Sequence, residues 1–408
     1  MGHVVIIGAG PAGACLAHLL ASRGMRVTLL ERQRDFAREF RGEVLMPSGV
    51  DALGQMGLRP ILDASGTVVA EGFEVYHGAR RLLAIRFGEW WPQAARPRTF
   101  SQAAFLEAVV DDAARFPGFH LERGCTVRDV LVEGGRVVGV EADTASGSHA
   151  FRADYVIGAD GRASVLRKRA NLDEERHPQA FDIVWCRVPL PEFMRSPVLL
   201  RGYVGTGHTA ILIPSHDGRL QIAWAIEKGT FGDLRRQGIE AWIDDMAAHV
   251  SPDVGAHLRA HRGDVTAPFL LDVVCDRLVR WCAPGLLLVG DAAHPMSPVG
   301  GQGVNIALRD VVVAANHLVP LLASGATPDA LDAAAARIES ERLPEVATIQ
   351  EIQDRAAAVV LGRQGRLFRE IVLFRLLPLL SRTGLPGRLA PRLGRPFLYG
   401  TTAVRLAV

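Results

Sequence analysis

The chain has 408 residues, too many for one comfortable core, so two closely packed domains, or one interrupted by insertions, are expected. Hydrophobic residues at 49% and charged residues at 22% describe an ordinary globular chain and exclude a disordered or fibrous one. The 46 basic residues against 44 acidic ones, a formal net charge of +2, give no electrostatic reason to expect nucleic acid as a partner. Cys15, Cys125, Cys186, Cys275 and Cys282 are scattered and form no CxxC pair. They read as reduced core residues of a cytoplasmic protein, not as a disulfide framework or a metal site. No basic stretch precedes the short apolar run in "MGHVVIIGAG", and no unbroken apolar stretch of about 18 residues follows, so neither a signal peptide nor a membrane-spanning helix is expected.

In chain order, "VVII" at 4–7 predicts a central parallel strand buried on both faces. Leu16, Leu19 and Leu20 then recur at helical spacing until Gly24, and "RVTLLE" predicts a second strand, which completes a βαβ unit. Gly8, Gly10 and Gly13 satisfy GxGxxG: Gly8 permits the turn, Gly10 lets a pyrophosphate approach the backbone, and Gly13 lets the helix pack on the strand. Free amides and the dipole at the helix start favour an anion. Glu31, 18 residues after Gly13, ends the second strand where a carboxylate can accept hydrogen bonds from both ribose hydroxyls; Arg32 follows it. A tight turn alone is the bland alternative. The pattern implies a dinucleotide but does not say whether it is FAD or NAD.

"EGFEVYHGARRLLAIRF" at 71–87 predicts strands, and "DYVIGADGRASVLR" at 154–167 runs a strand into Asp160 and Gly161, then into a helix near Ser164. "PVLLRGYVG", "HTAILIP" and "RLQIAWAIEKG" alternate apolar and polar residues as antiparallel strands of that same sheet do. One or two helices are expected over 233–260. "GLLLVGDAAHPMSPVGGQGVNIALRD" at 285–310 is a second strand-to-loop-to-helix device, with the helix from about Val304. Its glycine-rich loop suits an anionic group or a ring edge bearing carbonyl oxygens. Beyond residue 330 two helices broken at Pro344 are expected, and from 363 to 408 nine arginines face the single acid Glu370. Either apolar residues there cap the domains with arginines on the surface, or a basic amphipathic segment makes peripheral contact with a membrane or a lipophilic substrate.

These three motifs in order, over roughly residues 1–320, resemble the single-component FAD-dependent aromatic hydroxylases typified by para-hydroxybenzoate hydroxylase. The resemblance implies an α/β fold: a Rossmann-like FAD-binding domain (1–70, 98–175 and 276–330) interleaved with an antiparallel-sheet substrate domain (71–97 and 176–275), then a helical region (331–408). It implies that Glu31 holds the adenosine ribose and Asp291 the ribityl chain. Arg41 would lie near the pyrophosphate, Gln102 at a helix start facing the flavin's chain, and Asp160 near the pyrophosphate. Pro298 would stand beside the isoalloxazine, with Gly300, Gly301, Gly303, Val304 and Asn305 facing the ring. Each has a plainer reading as a surface charge, cap or turn residue.

The reaction so implied is hydroxylation of an aromatic, quinone-like or polyketide-like small molecule, as in secondary metabolism, by NADPH or NADH and O2 through a flavin C4a-hydroperoxide. The transient reductant has no Rossmann unit of its own in this family. Of the polar residues His77, Tyr203, His208 and Trp224, His208 is the nominal base for deprotonating a phenol, while His294 is assigned to organising the third motif's turn. The alternatives are another FAD-dependent oxidoreductase (prenyl reductase, dehydrogenase or halogenase) or a non-catalytic flavin-fold binding protein. "AWAIEKG" fails the WxWxIP pattern of halogenases.

Overall fold

The apolar runs that open the three glycine motifs become neighbouring strands of one sheet. His3–Ile7 pairs in parallel with Arg26–Glu31 on one side and Tyr155–Gly158 on the other. Phe119–Arg123 extends the sheet beyond Arg26–Glu31, and Leu286–Leu288 and then Cys282–Ala283 extend it beyond Tyr155–Gly158. Each motif loop therefore leaves the carboxyl end of a parallel strand, the edge where α/β sheets bind ligands. The computed structural model describes residues 2–36, 43–205 and 208–360, together with 374–376, 383, 389, 392 and 394–408.

Helices Pro11–Ser22 and Gly303–Ser324 pack on each other and bury Leu16, Leu19, Leu20, Val311 and Leu318 in the core of this sheet. The meander Thr126–Glu133, Arg136–Thr144 and Gly147–Arg152 adds Val127, Val137, Val140 and Ala142 to it. Within residues 299–324 an 18-residue window has a mean hydropathy of 1.5 and is 72% buried inside the protein. Arg309 and Asp310 interrupt that run, which makes it a core helix with an ionic centre.

The second sheet has seven strands in the order Phe269–Leu271, Phe181–Pro189, Arg219–Glu227, Thr209–Pro214, Leu199–Val204, Gly72–His77 and Arg80–Arg86. Neighbours are antiparallel except Leu199–Val204 with Gly72–His77. Its two faces follow the period of two. Ala210, Leu212, Ile222 and Trp224 face the helices Ile239–His249 and Pro252–Ala260, whereas Ile211, Ile213, Ala223 and Trp185 share a cluster with Val44, Met46 and Leu398. Three helices fill 231–260, not one or two, because Gly238 separates Phe231–Gln237 from Ile239–His249 and Pro252 starts the next.

The expected break at Pro344 is corrected: Pro328–Val360 is one helix. A proline inside a helix costs about 3 kcal/mol, and here the apolar face formed by Leu331, Ala334, Ala335, Ile338, Val346 and Ile349 is buried on both sides of it. That continuous burial holds the two halves in line. The architecture is the α/β class read from the sequence, with an antiparallel-rich second sheet and a helical carboxyl-terminal segment.

Candidate active site

At the first motif, Gly8 has φ +94° and a Cβ there would stand 2.5 Å from the carbonyl oxygen of Ala159. Only glycine allows this turn to touch the second motif. A Cβ on Gly13 would collide with the carbonyl of Gly8, whereas one on Gly10 would meet nothing within 4 Å. Gly10 thus borders open space at the start of Pro11–Ser22. The buried Glu31 carboxylate accepts from the Ala9 amide at 2.7 Å and the Gln33 amide at 2.9 Å, which fixes it beneath the loop. Arg32 is exposed, and Arg41 lies outside the described residues.

The second and third motifs are tied together. Asp160 Oδ2 accepts from the amides of Val165 and Leu166 at 2.8 and 3.3 Å, while its Oδ1 is buried without a hydrogen-bond partner among the described residues. Burial pushes this carboxyl above its usual range. Arg167, at the end of the quoted second motif, donates to the carbonyls of Asp291 and Ala292 at 3.0 and 2.8 Å. The Asp291 side chain stays 38% exposed, with Arg162 Nε 3.7 Å away. Two surface hollows, of about 380 Å³ beside Phe231 and Ile239 and about 800 Å³ beside His3 and Arg26, touch none of the glycine loops.

Beneath the third motif lies an ionic centre that the sequence reading missed. His294 is 1% exposed, and its Nε2 meets Asp310 Oδ2 at 2.7 Å, where the Gly290 amide also donates at 3.1 Å. His294 therefore organises this turn, as expected. Arg342 Nε donates to Asp310 Oδ1 at 2.8 Å and its Nη1 pairs with Glu345. Arg309 donates to Glu345 at 3.0 and 2.9 Å. Burial alone would raise the Asp310 and Glu345 carboxyls, but the neighbouring His294, Arg342 and Arg309 outweigh it and hold both below the usual range.

The loop itself is held from several sides. Pro298 precedes the turn in which Gly300 takes φ +74° and Gly301 φ +61°. Gln353 Nε2 donates to the carbonyls of Ser297 and Val299, both at 2.7 Å. Asn305, fully buried, accepts from the Met46 amide at 2.8 Å and donates to the Gly301 carbonyl at 2.7 Å. Its side chain is committed to holding the loop against Met46. Gly303 and the half-buried Val304 begin the core helix. Gln102 is the first residue of Gln102–Ala113, whose cap is Ser101, and its amide donates to the buried Glu43 at 3.1 Å.

The nominal base packs among other rings. His208 stacks on Trp224 at 5.9 Å and lies 3.7 Å from His249, on the helix-covered side of the second sheet. Tyr203 is on that side too, with its hydroxyl bonded to Ser251 at 2.7 Å. His77 stacks on Phe374. The opposite face carries Trp185, Ile211, Ile213 and Ala223, and Val299 of the third-motif loop packs, as Ile183 does, against the cluster of Phe181, Ala225 and Val273. An apolar face thus looks onto the glycine loop. The expected basic tail falls mostly outside the described residues; of it, Phe397, Leu398 and Tyr399 return to this region.

Known proteins resemble this chain in sequence and in fold. The sequence profile of the FAD binding domain family matches residues 1–350. 6-Methylpretetramide 4-monooxygenase from Streptomyces rimosus is 31% identical over 356 residues, 85% of this chain and 83% of that protein. Squalene epoxidase 1 from Arabidopsis thaliana is 25% identical over 348 residues, 79% of this chain but 61% of the relative's length. In fold, p-nitrophenol 4-monooxygenase from Pseudomonas putida DLL-E4 superposes with a TM-score of 0.79, at 17% identity over 99% of this chain and 100% of the other. The residues present fit FAD: open space at Gly10, the buried unpaired Oδ1 of Asp160, and a half-exposed Asp291 beside a left-handed glycine turn. The chain belongs to the FAD binding domain family, and it is an FAD-dependent monooxygenase.

Proposed function

We propose that this monooxygenase hydroxylates an aromatic, polyketide-like small molecule, taking two electrons from NADPH or NADH and one oxygen atom from O2, with the second oxygen leaving as water. The observation that carries the reading is the apolar face of the second sheet set against the Pro298–Gly301 turn. The relative that acts on 6-methylpretetramide supports the substrate class. When bound, FAD supplies the redox chemistry and oxygen activation. The protein's own residues orient and enclose. Glu31 would receive the adenosine ribose, Gly10 would admit the pyrophosphate with Asp160 near it, and Asp291 would meet the ribityl hydroxyls. The Gly301 amide is held by the Pro298 carbonyl at 3.0 Å, so the backbone of Gly300 and Gly303 would be left to meet the ring edge and stabilise negative charge in the manner of an oxyanion hole. Pro298 would stand beside the ring, and the apolar face would keep water out.

The test is NAD(P)H oxidation and oxygen uptake by the FAD-loaded enzyme with a tetracyclic aromatic phenol, followed by mass spectrometry of the product. A product one oxygen atom heavier is expected. Reductant oxidation that never yields it would refute the reading.

Two substitutions separate cofactor binding from folding. Gly10→Ala places a methyl in open space, so the thermal midpoint of the cofactor-free protein stays at the wild-type value while FAD affinity falls by about tenfold or more, ~1.4 kcal/mol. Gly8→Ala meets the Ala159 carbonyl at a left-handed φ and lowers that midpoint as well. A shared phenotype in calorimetry and flavin titration would contradict the distinction. His208→Gln is expected to retain kcat across pH 6–9, since the ring is packed on the far face of the sheet; loss of an acid limb from the pH profile would restore it as the base.

A further inference from the structure

We infer that Arg395–Tyr399 forms the specificity-determining wall of the substrate cleft and selects a flat, uncharged, multi-ring aromatic. This rests on the aromatic-hydroxylation reading above. The segment is a short helix that touches both sides of the cleft at once. The Phe397 ring lies 2.8 Å from where a Gly300 Cβ would stand, and its carbonyl accepts from Gln302 Nε2 at 2.9 Å. Leu398 joins the apolar cluster of the second sheet together with Met46, and the Tyr399 ring stands 6.5 Å from that of Trp91. Glycine at 300 thus makes room for an aromatic ring supplied from nearly one hundred residues downstream.

The placement is anchored. Immediately after the helix, the amides of Thr401 and Thr402 donate to Glu345 at 2.6 and 3.2 Å, and Arg309 Nη2 donates to the Thr402 carbonyl at 2.7 Å. The ionic centre under the glycine loop therefore also fixes the wall, so loop and wall keep one spacing. Phe73, Ile183, Ile211, Met46 and Leu398 are half-buried against the second-sheet clusters, and Phe397 is half-buried against the core of the first sheet. None of these side chains carries a charge or a hydrogen-bonding group. A charged ligand would be desolvated there without compensation, whereas fused rings gain both burial and ring contacts. Side-chain-free glycine backbone on one side and branched aliphatic side chains on the other favour a planar shape.

The experiment uses FAD-loaded wild type, Phe397→Ala and Leu398→Ala. A tetracyclic aromatic phenol and 4-nitrophenol are the probes. Binding is read from the perturbed absorbance of the bound flavin, and KM and kcat from reductant oxidation. Each variant is expected to raise Kd and KM for the tetracyclic probe by about tenfold or more, to change those for 4-nitrophenol far less, and to keep wild-type flavin content. Phe397→Leu should recover much of the loss. Unchanged tetracyclic binding by the flavin-loaded variants would overturn the assignment, as would equal weakening toward both probes. Flavin loss from both variants would overturn it too, making the segment a cofactor clamp. A wild-type enzyme that holds flavin yet oxygenates neither probe nor any aromatic compound would instead refute the aromatic-hydroxylation reading itself.

Discussion

Arg342→Met is expected to destabilise the FAD-loaded protein by about 3–5 kcal/mol, the range for removing one partner from a buried ion pair. Arg342 is completely buried and bridges Asp310 and Glu345. Methionine fills much of its volume but leaves both carboxylates in the core with one cation fewer. Asp310 also receives the Gly290 amide, so the damage extends to the turn that carries Asp291. Chemical denaturation of wild type and variant measures the difference, and an unchanged midpoint would refute the account.

The same network sets an acid limb of stability. Asp310 and Glu345 are held below their usual values. The unfolded carboxyls titrate near pH 4, so this stabilisation is fully present above about pH 4 and is lost as pH falls through the lowered folded values. Acid unfolding of wild type should be steep in that window and shallower in Arg342→Met. Equal slopes would argue against the linkage.

Asp291→Ala is expected to give folded but largely colourless protein. The side chain is 38% exposed and its ion pair with Arg162 spans 3.7 Å; the local backbone is held instead by Arg167 through the Asp291 and Ala292 carbonyls. Truncation therefore removes ligand contacts with little loss of packing. Hydrogen bonds to a charged group contribute about 1.5–3 kcal/mol, or roughly 10- to 150-fold in FAD affinity by the usual conversion. Flavin content after gel filtration and the circular dichroism spectrum test the two halves of this prediction. A variant as yellow as wild type would remove Asp291 from the site.

The glycine loops were legible because their constraints are local. Gly8 must turn with positive φ and touch Ala159, and a strand, turn and helix around it can be read from adjacent residues. The second sheet was legible from alternation, but alternation does not say which face a distant helix covers, and so the packing of His208 against Trp224 and His249 could not be read. Its facing depends on the helices Ile239–His249 and Pro252–Ala260, which cover it from a distant part of the chain. The strands of 126–152 went unassigned although Gly134 and Gly135 offer a turn, because their outer faces are half-exposed and the apolar alternation is diluted.

Arg342, Glu345, Gln350 and Gln353 were illegible for a different reason. On a helix otherwise rich in charge they look like a solvated face, yet all four are fully buried. The available signal was their recurrence at intervals of three to five residues, in line with the apolar Ile338, Val346 and Ile349. Polar groups in a helix's buried stripe need partners, and here the partners are the carbonyls and carboxylate beneath the third-motif loop.

The order of the chain places the supports of the glycine loop long after the loop. Glu345 is braced by the amides of Thr401 and Thr402. A ribosome adding about 5–20 residues per second needs several further seconds to reach them after completing the third motif. Until then Pro298–Gly301 lacks Phe397 against Gly300, and the ionic centre lacks its outer brace. In order of synthesis, the first nucleotide motif is therefore complete long before the contacts that brace the third-motif loop.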